Sequence, residues 1–143
     1  MMRALLDVNV LIALLDPDHS LHRAATQWFA DHATAGWASC PITENGCVRI
    51  MSHPNYPNAL PAADVAKRLR EACDDPIHAF WPDDVSLLDG AAVDSTRILG
   101  PRQITDVYLL ALASKHGGRF VTFDDAVSIA AVPSAQKKNL LVL

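Results

Sequence analysis

The chain has 143 residues, half of them hydrophobic and a fifth charged, a make-up that fits one packed domain and excludes an intrinsically disordered chain. Twelve Lys and Arg against sixteen Asp and Glu give a net charge of −4, which excludes strong non-specific binding to nucleic acid. No run approaches the roughly 18 apolar residues of a membrane-spanning helix, so a cytoplasmic protein without a membrane partner is expected.

The first residues, Met1 to Leu6, are apolar apart from Arg3, yet Asp7 and Asn9 interrupt them and no small-residue cleavage site precedes Asp16-Pro17-Asp18, so a signal peptide is not expected here. Residues 3–6 read as a buried strand ending at Asp7, and residues 10–15 as a short apolar helix stopped by Asp16-Pro17. Over 18–33, Leu21, Ala25, Trp28, Phe29 and His32 recur at helical spacing, which predicts an amphipathic helix. Gly36 leads into a second strand over 37–40. Pro41-Ile42-Thr43-Glu44 starts a helix carrying Val48, Ile50 and Met51. The segment 53–61 is the one long loop, and Pro61 opens another helix with Val65, Ala66, Leu69 and Ala72 on one face. A third strand is expected over 78–81, then a helix over 86–99 ended by Gly100-Pro101. Thr105 is placed as the N-cap of a helix over 106–116, with His116 at its end and Gly117-Gly118 terminating it. Strands over 119–123 and 140–143 complete the chain. Strands alternating with helices imply a parallel sheet covered on both faces.

In such a sheet, strand ends and the helix starts that follow them share one edge, where ligands bind. Asp7 ends the run Ala4-Leu5-Leu6, and Asp124 ends Phe120-Val121-Thr122-Phe123. Glu44 and Asp106 open helices. Each acid lies against apolar sequence, where a charge is out of place unless it has a task. Two unit charges about 4 Å apart repel by roughly 4 kcal/mol at an effective dielectric near 20, so four converging carboxylates call for a hard divalent cation. Magnesium suits such a set, and manganese serves as well. Such an ion can activate water and stabilise charge on a phosphodiester. If four of the sixteen acids belong to one metal site, the other twelve balance the twelve Lys and Arg, and the charge permits an RNA substrate. No nucleophilic triad signature or glycine-rich phosphate loop competes with this reading.

The blocks Leu5-Leu6-Asp7-Val8-Asn9-Val10-Leu11-Ile12, Thr43-Glu44, Ile104-Thr105-Asp106-Val107-Tyr108-Leu109-Leu110-Ala111-Leu112-Ala113 and Val121-Thr122-Phe123-Asp124 resemble, in order and spacing, the signatures of PIN-domain ribonucleases of the VapC toxin type. Leu21-His22 to Trp28-Phe29 and Ser52-His53-Pro54 also look like VapC sequence. The resemblance spans essentially the whole chain. It implies one PIN domain over 1–143, with a three-layer α/β/α fold on a central parallel sheet of four to five strands. It further implies a Mg2+-dependent endoribonuclease, usually dimeric, that cuts structured RNA (transfer or ribosomal) and is blocked by a VapB-type antitoxin. Asp7, Glu44, Asp106 and Asp124 carry over as metal-binding and catalytic acids, and Asn9 and Thr105 as polar residues that support them. Asp125 receives no role.

The remaining polar and aromatic residues have plainer readings. His19 and His22 are expected at the surface or in dimer packing, Trp28, Phe29 and Trp37 in the core or at a subunit interface. Arg49, Arg97 and Arg102 are surface charges available to RNA phosphates. Cys40, Cys47 and Cys73 lack CxxC spacing and are read as reduced thiols, forming neither a disulfide framework nor a zinc site. Two other enzyme or binding classes use acids at a sheet edge. A haloacid-dehalogenase-like phosphatase needs a second carboxylate where Asn9 stands, and a phospho-accepting receiver needs a Lys where Phe123-Asp124 stands. A PIN-like scaffold that binds RNA or a partner without cutting is the third alternative.

Overall fold

The computed structural model describes residues 2–143. Five short strands, β1 (Ala4–Leu6), β2 (Trp37–Ser39), β3 (His78–Phe80), β4 (Arg119–Thr122) and β5 (Leu140–Val142), form one all-parallel sheet in the order β3-β2-β1-β4-β5. Residues of β1 and β2 are buried throughout, as a sheet covered on both faces requires. Five helices supply that cover: α1 (Val8–Leu15), α2 (His22–His32), α3 (Pro41–Met51), α4 (Ala62–Cys73) and α5 (Ile104–Lys115). Alternating strand residues divide the apolar side chains into two layers. Leu5, Ala38 and Phe120 join α5 on one face, while Leu6, Trp37 and Val121 join α1, α3 and α4 on the other. The three-layer α/β/α expectation is met, with five strands.

The helix starts explain the local differences from the sequence reading. Asp7 is the N-cap of α1, its carboxylate accepting the Val8 N–H at 2.7 Å, so the helix begins at Val8 and not at Val10. Helix α2 begins only at His22, because Asp16 takes the Asp18 N–H and His19 takes the Leu21 N–H in turns that hold residues 16–21 out of helix. In α3 the Cys40 N–H donates to Thr43 Oγ1 at 3.0 Å, tying the strand end to the helix start. A short 3-10 turn, Pro101–Gln103, runs directly into α5, so Gln103 is the cap residue, and Thr105 lies exposed within the first turn. The expected cap at Thr105 is therefore corrected; His116 does terminate α5, its N–H on Leu112.

The helix expected over 86–99 is absent. Ser86, Asp89 and Asp94 each accept a backbone N–H two residues ahead, which competes with helix formation and leaves turns and one 3-10 turn, Ser95–Arg97. Buried Val93 and a bond from the Asp94 N–H to the Ala131 carbonyl pin that segment instead. Cys40, Cys47 and Cys73 are free, as expected. Trp37 is buried, and Trp28 and Phe29 pack beside it in the same layer. Among the described residues no helix is long and apolar enough to cross a membrane.

Candidate active site

Strand order reverses at β1: the chain passes from β1 to β2 on one side and later returns to β4 on the other. The carboxyl ends of β1 and β4 flank the crevice that such a reversal opens, and it is there that open α/β sheets bind ligands. Asp7 follows β1, and Asp124 lies two residues beyond β4. Asp106, in the first turn of α5, lines the same hollow of about 370 Å³, together with Asn9, Ile50, His19 and Tyr56.

Asp7 is buried to 7 % exposure, and both its oxygens are held. Oδ1 accepts the Val8 N–H, and Oδ2 accepts the hydroxyl of Thr122 at 2.6 Å. The same Thr122 oxygen accepts the Asp124 N–H at 3.0 Å, so one buried hydroxyl couples the two strand-end acids. Asp124 Oδ1 accepts the Ala126 N–H at 2.8 Å, and Asp124 lines the hollow. Asn9 does not bond to a carboxylate: its side chain meets Thr122 Oγ1 at 3.5 Å and the Phe123 N–H at 3.4 Å, steadying the end of β4.

Burial pushes the Asp7 carboxyl above its ordinary range despite its two hydrogen bonds, and the charge of Asp124 adds to that. Asp106 is pushed up to about 7, first by burial, then by the charge of Asp7, and by a carboxyl–carboxyl hydrogen bond and the charge of Asp124. Three acids crowd one another here, and the crowding is felt most by Asp106.

Glu44 does not join them. Its Oε2 accepts the hydroxyl of Ser39 at 2.6 Å, in a different hollow that it shares with Cys73. Helical geometry gives the reason. Gly46 faces α1 so closely that a Cβ there would lie 2.7 Å from Val8 Cγ2. A residue two positions earlier is turned about 200° around the helix, so Glu44 points to the opposite side. Beside Gly46, a shallow hollow carries Asn45, Arg49, Asp83 and exposed Thr105. Asp125 is exposed. Arg97 pairs with Asp94 at 3.3 Å, and Arg102 is exposed. Sequence reasoning missed Thr122, although strand alternation puts it on the same face as Asp124; nothing in the sequence pointed to Tyr56.

The PIN domain family model matches residues 4–133. "Ribonuclease VapC44" of Mycobacterium tuberculosis is 50% identical over 142 residues, covering 99% of this chain and 100% of the relative. "Ribonuclease VapC39" of the same organism is 47% identical over 132 residues, 91% of this chain and 94% of its own length. "Ribonuclease VapC38" is 46% identical over 125 residues, 87% and 86% of the two chains. A parallel sheet that gathers aspartates at its reversal point, a family match over most of the chain and near-full-length likeness agree: this chain belongs to the PIN-domain family, among the VapC ribonucleases.

Proposed function

We propose that this chain is a metal-dependent endoribonuclease toxin that hydrolyses phosphodiester bonds in structured RNA, transfer or ribosomal. Asp7, Asp106 and Asp124 are its metal-holding and catalytic acids. The observation that carries the reading is the hollow at the sheet's reversal point, which Asp7, Asp106 and Asp124 line together. An all-oxygen, carboxylate-only donor set fits magnesium, or manganese, better than a softer ion. A divalent ion held by these residues would supply Lewis acidity, lowering the pKa of water and offsetting charge on the phosphate.

The chain's own residues do the positioning. Thr122 and the Val8 N–H fix both Asp7 oxygens, so the carboxylate cannot rotate away. Thr122 also ties the Asp124 backbone to the same point. Asn9 holds the Phe123 N–H, which sets the direction in which the chain leaves β4. Burial, the charge of Asp7 and the neighbouring Asp124 hold the Asp106 carboxyl up to about 7, and an ion held in this hollow would favour its charged form. Glu44 lies outside this hollow, its side chain accepting a hydrogen bond from Ser39.

By likeness to the VapC ribonucleases, the chain is read as one domain over 1–143, a homodimer in the cytoplasm, restrained by a VapB-type antitoxin. The test uses the full chain, stripped of metal, with a mixture of transfer and ribosomal RNA and sequencing of the new RNA ends. Cleavage at defined positions is expected with magnesium, none in excess chelator, and a loss of at least about a hundredfold for Asp106→Asn. Undiminished cutting in thorough chelator would sink the proposal. Inducing the chain alone in bacteria should arrest growth, and Asp106→Asn should relieve the arrest.

A further inference from the structure

We propose that the hollow of the three aspartates also carries a subsite for one unpaired base of the RNA, formed by Ile12, His19, Ile50 and Tyr56. This rests on the ribonuclease reading and adds which part of the substrate is held beside the acids. The lining divides by chemistry: Asp7, Asn9, Asp106 and Asp124 supply a polar share, while Ile12, Ile50 and the rings of His19 and Tyr56 supply an apolar and aromatic one. Among the described residues no Lys or Arg lines this hollow, so the second share has no cation for a phosphate. Rings and aliphatic side chains suit the face of a base drawn out of its stack. There is room for one. Six oxygens around an ion, at about 30 Å³ each, take at most on the order of 200 Å³, and the hollow measures about 370 Å³.

The packing of α1 on α3 builds this subsite. Val8 and Gly46 mark the close contact of the two helices, and Ile12 and Ile50 follow four residues later, on the same faces. Beyond them, turns bring in the two rings. After α3, the Tyr56 N–H donates to the His53 carbonyl at 2.8 Å, and the Tyr56 hydroxyl donates to Asp16 Oδ2. After α1, the His19 N–H donates to the Asp16 carbonyl at 3.1 Å, and His19 Nδ1 accepts the Leu21 N–H at 3.0 Å. Asp16 thus anchors both residues without itself lining the hollow. Both are half-buried, so their ordering is met on folding and costs little on binding. With Nδ1 an acceptor, the neutral imidazole carries its proton on Nε2, which has no partner among the described residues and can donate to an acceptor on a base edge. The histidine expected at the surface or in dimer packing, and a tyrosine to which no sequence signal pointed, thereby gain a place in the substrate site.

Saturation-transfer NMR on the full chain in magnesium tests this without any cutting, using the four ribonucleoside 5′-monophosphates and, as the baseless control, ribose 5-phosphate. At least one nucleotide should take saturation mainly on its base protons and bind at least about fivefold tighter than ribose 5-phosphate, a ratio that added salt leaves unchanged. Tyr56→Leu should erase the ratio, and Tyr56→Phe, which keeps the ring, should retain most of it. His19→Ala should weaken the preferred nucleotide about threefold or more and ribose 5-phosphate not at all. If Tyr56→Leu does not fold, His19→Ala decides. Equal affinity of the wild type for all five probes, a ratio that survives Tyr56→Leu in folded protein, or no effect of His19→Ala overturns the subsite. The expected pattern in a chain that cuts no RNA would uphold the subsite and sink the ribonuclease reading, whereas cutting by a chain without base preference would do the reverse.

Discussion

Replacing Asp106 with Asn should stabilise the metal-free protein, although it should destroy the proposed catalytic set. The Asp106 carboxyl moves from an ordinary 3.8 to about 7 on folding. Between those values the folded chain holds a proton that the unfolded chain has released, so metal-free stability falls as the pH rises from about 4 to about 7. A shift of about 3 units is worth roughly 4 kcal/mol at about 1.4 kcal/mol per unit. Asp106 is only half-buried, and solvent screening reduces this to about 2 kcal/mol. At roughly 3 °C per kcal/mol for a domain of this size, Asp106→Asn should melt about 6 °C higher than wild type in chelator near pH 8. The two should melt together near pH 4. Saturating magnesium should reverse the order: at about 100 times its Kd, an ion binding only the folded wild type adds about 2.7 kcal/mol. Thermal unfolding followed by circular dichroism, with and without chelator across this pH range, reads all three outcomes. Asp106→Asn melting lower than wild type in chelator near pH 8, or a difference that does not change with pH, would refute the crowding of the three acids.

Thr122→Val keeps the shape of the side chain but removes the hydroxyl that binds Asp7 and Asp124, so magnesium affinity measured by calorimetry should fall about tenfold to a hundredfold with the fold intact. Gly46→Ala sets a methyl 2.7 Å from Val8 Cγ2 and should cost about 1–3 kcal/mol in urea unfolding, most of it recovered by adding Val8→Ala. Tyr56 donates a hydrogen bond to Asp16, the largest cause of that carboxyl's lowered pKa. A depressed carboxylate pKa adds stability above its unfolded value and loses it as the pH falls through the folded one. Tyr56→Phe should therefore cost about 1 kcal/mol in unfolding near neutral pH, with the gap to wild type closing in acid.

The convergence of Asp7, Asp106 and Asp124 was legible because each acid adjoins an apolar run that has to be buried, and a parallel sheet sends strand ends and following helix starts to one edge. The same rule misled for Glu44. It locates a residue along the chain but not around the helix, and about 100° per residue makes a two-residue offset nearly a reversal. What decides the rotation of α3 is Gly46 against Val8, a contact between elements 38 residues apart. An isolated glycine within a helix was the available signal of close backbone approach. The segment 86–99 fails for a different reason: Leu87, Leu88, Ala91 and Ala92 imitate a helical face, while Ser86, Asp89 and Asp94 supply the acceptors that dismantle it.

These two failures have opposite consequences for function. Residues 86–99 lie against the α5 layer, and their turns leave Asp106 where the sequence put it. The rotation of α3, by contrast, removes one carboxylate from the edge of β1 and β4 and delivers it to Ser39, Cys73 and His78 at the edge of β2 and β3. A single small residue, by letting two helices touch, thus parts Glu44 from the hollow that Asp7, Asp106 and Asp124 line.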